Sequence, residues 1–218
     1  MRPEEMDRPS FLPIFDAEYA GKLGLRSETF RRVFEILEAM GKASYTIVET
    51  GCARIEDNWE GDGQSTILFD RFVNQRGGAV LTVDIDDDAC ARLRSRVSSK
   101  VTITCSDSVA YLRNLPHSGK VDIDLLYLDA HDLDWRNPHP CALHHLFELC
   151  AVIPLLPSGS LVVVDDTAKS LAVVPFKGQT MVIQDCGVVG KGSYVAQFFS
   201  RIDCLPVIDG YQHGWIVP

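Results

Sequence analysis

The sequence has few of the features that mark secreted, membrane or nucleic-acid-binding proteins. Its seven cysteines are scattered, odd in number and never spaced as CxxC, which argues against a disulfide framework and favours reduced thiols. The formal net charge is −9, so a nucleic-acid backbone is not the expected partner. Residues 1–5 carry acids and a proline where a signal peptide has an apolar run, and no apolar stretch is long enough to cross a bilayer. We therefore expect a cytoplasmic protein whose partners include neither nucleic acid nor a membrane.

What the sequence does contain fits one globular domain with a short N-terminal arm. Hydrophobic residues make up 46% and charged residues 23% of the 218 residues, close to the composition of a globular domain of ordinary size. We predict an arm over residues 1–26, irregular over its first dozen residues. Its Phe11, Phe15 and Tyr19 are candidates for a lid or for a contact in a homodimer. Residues 27–218 are predicted to form a single domain.

The hydrophobic pattern predicts strands that alternate with helices. A helix is expected over Ser27–Met40, where apolar residues recur at helical spacing behind a capping serine. Five short apolar runs, four of them ending in an acidic residue, fit strands buried on both faces of a parallel sheet. The predicted strands are Thr46–Glu49, Val80–Asp84, Val101–Cys105, Asp124–Asp129 and Ser160–Asp165, and the predicted helices between them are Gln64–Gln75, Asp87–Ser98, Ser108–Leu115 and Cys141–Leu155. This alternation gives right-handed βαβ units, so we predict an α/β fold with a doubly wound, Rossmann-like sheet.

The C-terminal part of the chain has a different pattern. A helix is expected over Ser193–Ser200, and the short runs Leu205–Ile208 and Gly214–Val217, separated by Asp209-Gly210 and polar residues, predict a closing hairpin. Ligands of open α/β sheets bind at the carboxyl ends of the strands. The acidic ends of the predicted strands all lie on that edge, which is therefore the expected site.

Glycines after the first predicted strand indicate a close approach of the backbone to a ligand. Glu49-Thr50-Gly51 ends the strand, and Gly63-Gln64-Ser65 precedes the next helix. Glycine permits a sharp turn, and the free N–H groups of a helix start can face an anion or a polar ligand. The spacing is not GxGxxG, so a dinucleotide site is only weakly indicated. Taken alone, the segment is equally compatible with a plain strand-to-helix loop.

Two further strand ends carry polar side chains of the kind that bind a nucleoside. Asp84 can accept hydrogen bonds from the two hydroxyls of a ribose, while the following Asp86 or Asp87 can cap a helix. Asp107 and Ser108 follow the third predicted strand. They can contact the edge of an adenine ring or can serve simply as helix caps, and the sequence leaves both interpretations open.

Acidic residues at the ends of the fourth and fifth strands indicate a site for chemistry. Asp129, Asp165 and Asp166 would converge at one sheet edge, where their oxygens can hold a hard cation such as Mg²⁺ that lowers the pKa of a substrate hydroxyl. Hydrogen-bonded carboxylates without a metal are the alternative. His131 is the candidate general base, with or without a metal, because the imidazole pKa lies near neutrality.

In order and spacing, these motifs resemble those of the class I S-adenosylmethionine-dependent methyltransferases, and within that class the small-molecule O-methyltransferases of the macrocin and catechol types. The resemblance covers roughly residues 30–218. It rests on Glu-Thr-Gly at 49–51, Val-Asp-Ile-Asp at 83–86, Ser-Asp-Ser at 106–108, Leu-Asp-Ala-His-Asp at 128–132 and Val-Asp-Asp at 164–166. It implies a mostly parallel seven-stranded sheet whose one antiparallel strand comes from the C-terminal hairpin.

The resemblance also implies the cofactor and its contacts. S-adenosylmethionine would meet the first glycine loop with its methionine part, the carboxylate after the second strand with its ribose, and the residues after the second and third strands with its adenine. The residues so implied are Glu49, Gly51, Gly63, Gln64, Ser65, Asp84, Ile85, Asp107 and Ser108.

The acceptor side is implied less completely. Asp129, Asp165 and Asp166 match the positions that hold Mg²⁺ in metal-dependent members, but Asp166 replaces an amide of the catechol type. Asp129 and His131 are the candidate catalytic residues, and a small-molecule hydroxyl is the expected acceptor. The insert Cys52–Asp62 departs from the family and is expected to fold over the cofactor or to shape the acceptor pocket. A nucleotide-cofactor oxidoreductase and a non-catalytic cofactor-binding module on the same fold are the alternatives.

Overall fold

The protein is built on a twisted seven-stranded sheet. The computed structural model describes residues 8–115 and 122–218. The strands in chain order are β1 (Tyr45–Thr50), β2 (Gly78–Asp84), β3 (Val101–Cys105), β4 (Leu125–Leu128), β5 (Leu161–Val164), β6 (Lys169–Phe176), β7 (Gln179–Val188), β8 (Ile208–Asp209) and β9 (His213–Ile216). The sheet order is β3-β2-β1-β4-β5-β9-β8, while β6 and β7 pair only with each other. Strands β1 to β5 run parallel and β9 is antiparallel to β5, which confirms the predicted fold class.

Helices cover both faces of this sheet. They are α1 (Leu12–Glu18), α2 (Ser27–Ala39), α3 (Trp59–Asp62), α4 (Ser65–Arg76), α5 (Asp87–Leu93), α6 (Ser108–Asn114), α7 (His139–Val152) and α8 (Ser193–Arg201). Two of the helix starts are capped by carboxylates that the sequence had singled out. Asp86 accepts from the N–H of Ala89, and Asp107 accepts from the N–H of Ala110, as expected for acidic N-cap residues.

The central strands are buried on both faces because their side chains alternate between two apolar clusters. Leu125 and Tyr127 of β4 point into the cluster that contains α1, α2 and α4, whereas Leu126 and Leu128 point into the cluster that contains α6, α7 and α8. Successive residues of a strand face opposite sides of the sheet, so a strand covered on both sides must be apolar throughout. This is why the sequence shows continuous apolar runs here.

The N-terminal arm is part of the core rather than a loose appendage. Pro13 lies in the first turn of α1, where its missing N–H costs nothing. Phe11 and Phe15 are completely buried, and the ring of Phe11 meets that of Phe34 edge-on at 4.9 Å. The sequence analysis offered Phe11 and Phe15 as lid or dimer contacts; burial in the core leaves these two side chains no surface for either role. Residues 1–7 of the predicted arm lie outside the described residues.

The hairpin of β6 and β7 was not predicted. Its turn consists of Lys177 and Gly178, which have φ angles of 49° and 76°, the combination required by a type I′ turn between antiparallel strands. The hairpin lies outside the main sheet, so it was not part of the alternating pattern from which the other strands were predicted. Within the described residues, no helix is long and apolar enough to cross a membrane.

Candidate active site

The carboxyl ends of β1, β2 and β4 surround a cleft of about 270 Å³. Five residues predicted from the sequence line it: Gly51, Asp84, Ile85, Asp129 and His131. The remaining lining residues are Cys52, Arg54, Asp62, Asp86, Ala130 and Asp132. The parallel order of the strands brings these residues together, because it places three strand ends side by side on one edge of the sheet.

Gly51 makes this convergence possible. Its φ angle is 80°, a conformation open mainly to glycine. A Cβ atom at this position would lie 2.5 Å from the carbonyl oxygen of Asp129. The end of β1 therefore approaches the end of β4 as closely as backbone can, and only glycine fits between them.

Asp84 offers a fixed carboxylate to the cleft. Its Oδ2 accepts from the N–H of Cys52 at 2.9 Å and its Oδ1 accepts from the N–H of Asp86 at 2.8 Å. Each oxygen keeps a further lone pair that can accept from a ligand hydroxyl. The neighbouring Ile85 is 74% exposed, which gives the cleft an apolar surface beside the carboxylate. This combination fits a ribose and an attached flat ring.

Glu49 lies beneath the cleft rather than in its wall. The side chain is completely buried, and its Oε2 accepts from the hydroxyl of Thr66 at 2.6 Å. Burial raises the pKa of Glu49 to about 7, although the hydrogen bond from Thr66 opposes the rise. Its other oxygen, Oε1, has no hydrogen-bond partner in the described structure.

The loop Gly63-Gln64-Ser65 does not line the cleft either. Gln64 is fully buried, and its amide donates to the carbonyl oxygen of Ile55 at 2.6 Å and to Asp62 Oδ2 at 2.9 Å. Gln64 therefore holds the insert that precedes it. Gly63 has a φ angle of 70° and faces the side chain of Arg26, and Ser65 starts α4 in a buried position.

The insert Cys52–Asp62 forms part of the cleft wall through Arg54. The guanidinium of Arg54 donates to both carboxylate oxygens of Asp132, at 2.8 and 3.2 Å. Asp62 accepts from the backbone N–H groups of Arg54 and Ile55. The insert is thus tied to the residues that follow β4 and is folded over one side of the cleft.

Asp107 and Ser108 lie apart from this lining. Asp107 is the N-cap of α6, and the hydroxyl of Ser108 lies 2.9 Å from His144 Nε2. Of the two interpretations that the sequence left open for them, the structure shows the capping contact. A contact of either side chain with a cofactor stays a prediction.

His131 lies at the exposed end of the cleft. Its Nδ1 is 3.0 Å from the carbonyl oxygen of Asp132, and its ring centroid is 5.5 Å from that of His144. Contact with a carbonyl oxygen favours the tautomer with the proton on Nδ1, which leaves Nε2 as an acceptor. His131 can therefore accept a proton from a group bound in the cleft.

The three predicted carboxylates do come together. Asp129, Asp165 and Asp166 offer oxygens that all lie within 4.8 Å of one another. Two cations lie among them, however. Arg26 Nε donates to Asp165 at 2.9 and 3.1 Å and Arg26 Nη2 donates to Asp166 at 2.9 Å, while Lys191 Nζ contacts Asp129 Oδ1 and lies 3.0 Å from Asp166 Oδ2.

The charges of this cluster stabilise one another. Burial favours a neutral Lys191, but Asp129, Asp166 and Asp165 outweigh it and raise the pKa of the ammonium. Burial also disfavours an ionised Asp166, yet Lys191, the hydroxyl of Tyr211 and Arg26 lower the pKa of that carboxyl. Burial raises the pKa of Asp129; Lys191 opposes the rise, and the two neighbouring carboxylates add to it. Three acids thus face two permanent cations.

Magnesium does not fit this cluster as it stands. The ion requires a nearly octahedral set of free oxygen ligands. Both oxygens of Asp165 accept from Arg26, Asp166 Oδ1 accepts from Arg26 and Tyr211, and the remaining contacts of Asp166 and Asp129 go to Lys191. The carboxylates converge as the sequence predicted, but an ammonium group lies where the cation was expected.

The sequence analysis missed Arg26, Lys191 and Tyr211. Arg26 lies in the predicted arm, 139 residues before its partner Asp165. Lys191 stands between Gly190 and Gly192, which the sequence analysis did not connect with the acidic strand ends. A lysine between two glycines is the one local signal that points to a backbone held in a special position.

Comparison with known proteins adds a family match. A family model described as "Methyltransferase domain" (Methyltransf_24) matches residues 60–167. This span runs from α3 to just past β5 and contains Asp84, Asp129 and the Asp165-Asp166 pair. No curated protein sequence matches the chain.

Solved structures share the fold at low sequence identity. An O-methyltransferase from Bacillus cereus in complex with S-adenosylhomocysteine (SAH) has a TM-score of 0.51 and 14% identity, over 99% of this chain and 92% of that one. CalS10, an amino pentose methyltransferase from Micromonospora echinaspora with bound S-adenosylmethionine, has a TM-score of 0.52 and 12% identity, over 94% and 97% of the two chains. MycE, a methyltransferase of the mycinamycin pathway in complex with Mg, SAH and mycinamycin VI, has a TM-score of 0.49 and 18% identity; 74% of this chain is covered, but only 40% of that one.

Proposed function

We propose that this chain, which is a class I S-adenosylmethionine-dependent methyltransferase, transfers the methyl group to a hydroxyl of a small molecule. One observation carries the proposal. A single cleft is lined by Asp84 on the side of β2 and by Asp129 and His131 on the side of β4. A group that binds a nucleoside and groups that accept a proton therefore face the same space.

The cofactor half of the cleft is built from β1 and β2. S-adenosylmethionine supplies, when bound, a methyl group on a sulfonium that already carries the driving force for transfer. Asp84 would accept hydrogen bonds from the ribose hydroxyls, and the exposed side chain of Ile85 would pack against the adenine. Gly51 keeps the floor of the cleft free of side-chain atoms, so the reacting end of the ligand can lie against the backbone.

The acceptor half is built from the residues after β4. His131 and Asp129 would hold the acceptor hydroxyl in line with the S–CH₃ bond and take up its proton as the O–CH₃ bond forms. SAH and the methyl ether are then the products. Because Mg²⁺ does not fit the carboxylate cluster, no step of this proposal is routed through a metal.

A small acceptor is favoured over a nucleic acid by the charge of the chain. The net charge is −9, which repels a phosphate backbone. The names of two structures with the same fold, an O-methyltransferase and an amino pentose methyltransferase, are in line with a small acceptor. The predicted homodimer is a separate proposal, to be checked by size-exclusion chromatography with light scattering.

The proposal is tested by cofactor binding together with methyl transfer. Isothermal titration with SAH should show saturable binding, and Asp84→Asn should weaken it by about tenfold to a hundredfold, because a hydrogen bond to a charged group is lost. Asp88→Asn is the matched control, since Asp88 is exposed on α5. Radiolabelled S-adenosylmethionine with a panel of phenols, sugars, amines and RNA then identifies the acceptor class.

Two outcomes would contradict the proposal. The absence of SAH binding at millimolar concentration, with binding of a nicotinamide dinucleotide instead, would favour the oxidoreductase alternative. Transfer of label to amines or RNA in preference to hydroxyls would refute the acceptor class while leaving the methyltransferase intact.

A further inference from the structure

Lys191 is held in place by its own backbone. Its N–H donates to the carbonyl oxygen of Asp166 at 3.1 Å, and the N–H of Gly192 donates to the hydroxyl of Thr167 at 3.0 Å. A Cβ atom at Gly190 would overlap the carbonyl oxygen of Asp166, and one at Gly192 would overlap the hydroxyl of Thr167. The two glycines thus let the loop before α8 lie directly on the end of β5. The position of Lys191 is built into the fold.

The side chain of Lys191 fills the centre of the carboxylate cluster. It is only 3% exposed, and its ammonium contacts Asp129 and Asp166. The third carboxylate, Asp165, is fully engaged by Arg26. Burial of an ammonium is tolerated only where carboxylates pair with it and accept its hydrogens. The arrangement is a complete ion network rather than an open coordination site.

We propose that Lys191 is the resident cation of this cluster and occupies the place of a divalent metal ion. The ammonium neutralises Asp129 and Asp166 and holds Asp129 at the wall of the cleft. A divalent ion gains access only when the ammonium is removed. The catalytic part of this inference rests on the proposed function: Lys191 is a positioning residue that acts on the acceptor through Asp129.

Charge and geometry give the proposal its direction. Without Lys191, three carboxylates whose oxygens lie within 4.8 Å would face Arg26 alone. Uncompensated carboxylates at that spacing attract a hard cation through oxygen ligands. Loss of the lysine should therefore create a metal site that the natural chain does not have.

The test is a Mn²⁺ titration of the full chain, followed by electron paramagnetic resonance. Wild type should show no saturable binding up to millimolar Mn²⁺. Lys191→Met should gain a saturable site that is lost again when Asp166→Asn is added, whereas Lys191→Arg should gain none. Lys169→Met is the matched control, because Lys169 pairs with Asp209 on the surface and its loss should create no site.

Metal-dependent folding is a second readout of the same site. We expect Lys191→Met to melt at a lower temperature than wild type and to recover part of the loss in Mn²⁺, which wild type should not show. If Lys191→Met does not fold, Lys191→Gln, which keeps a polar side chain, is measured instead. Saturable Mn²⁺ binding by wild type that Asp166→Asn abolishes would overturn the proposal, and so would a folded Lys191→Met or Lys191→Gln protein that binds no Mn²⁺.

The positioning role has its own readout. Lys191→Met should lower kcat and leave the affinity for SAH unchanged, and Lys191→Arg should restore part of kcat. Equal losses in SAH affinity and kcat would indicate a merely structural role and would refute the positioning. Treatment of wild type with a chelator should change neither value. Failure of SAH binding in wild type would refute the proposed function, whereas the Mn²⁺ result would still decide the place of Lys191.

Discussion

Glu49 shows how a single buried carboxyl makes stability depend on pH. Its folded-state pKa is raised from 4.5 to about 7 by burial. Between these two values the folded chain binds more protons than the unfolded chain, so the contribution of Glu49 to stability is complete below about pH 4.5 and is lost as the pH rises through about 7. Above that pH the protein carries a buried charge with one unpartnered oxygen.

We predict that Glu49→Gln stabilises the protein at about pH 8, by on the order of 1 to 3 kcal/mol, and has little effect at about pH 4. The amide keeps the shape of the side chain and an oxygen for Thr66 but cannot ionise. Urea unfolding of both proteins at several pH values measures the difference, in which the other titrating groups cancel. A difference that is the same at all pH values would show that Glu49 does not titrate in this range.

The residues at the site were predictable to the extent that their roles follow from strand ends. Asp84 and Asp129 come directly after apolar runs, and the parallel order of such runs puts their ends on one edge. Arg26 and Lys191 were not predictable in this way, because their partners lie in distant segments and only the folded chain brings them together. Gln64 was assigned to the cofactor, but its side chain is used to hold the insert.

At the scale of elements, the predictable part of the fold is the part with a repeated pattern. Strands β1 to β5 and the helices between them recur as βαβ units, and the sequence predicts each of them to within a few residues, except that α5 ends at Leu93 rather than Ser98. Helix α1 was missed because it is short and depends on Pro13 and on burial of Phe15. The β6–β7 hairpin stands outside the repeat.

The insert Cys52–Asp62 is the element that should control access to the cleft. Asp62 Oδ2 accepts from the N–H of Arg54 at 2.8 Å, from the N–H of Ile55 at 3.3 Å and from the amide of Gln64 at 2.9 Å. One carboxylate therefore closes the whole insert. Short segments held by so few contacts open locally without global unfolding.

We predict that Asp62→Ala opens the insert while the rest of the fold persists. Trypsin should cleave after Arg54 faster than in wild type, and SAH should dissociate faster, whereas the global unfolding free energy should fall by only about 1 to 2 kcal/mol. Limited proteolysis with mass spectrometry and stopped-flow release of SAH measure the two effects. Asp57→Ala, at an exposed position of the same insert, is the control. Unchanged cleavage at Arg54 would show that the insert is held by other contacts.

At the scale of the whole molecule, the N-terminal arm and the catalytic edge are one structure. Phe15 packs against Phe34 in the core, and Arg26, at the end of the same arm, reaches Asp165 and Asp166 at the end of β5. A lid would exchange between open and closed positions and would leave the core intact. An arm that supplies both core side chains and a buried cation cannot leave without unfolding the domain.

We therefore predict that Phe15→Ala destabilises the protein by about 3 to 5 kcal/mol, the usual cost of removing a buried phenylalanine ring. The folded fraction should bind SAH with the affinity of wild type, because Phe15 does not line the cleft. Leu25→Ala is the matched control, since Leu25 is 76% exposed in the same arm and its loss should cost little. Urea unfolding and SAH titration below the unfolding transition separate the two interpretations. A lid residue would show the opposite pattern, with weakened SAH binding at unchanged stability, and that result would return the arm to the role of a mobile cover.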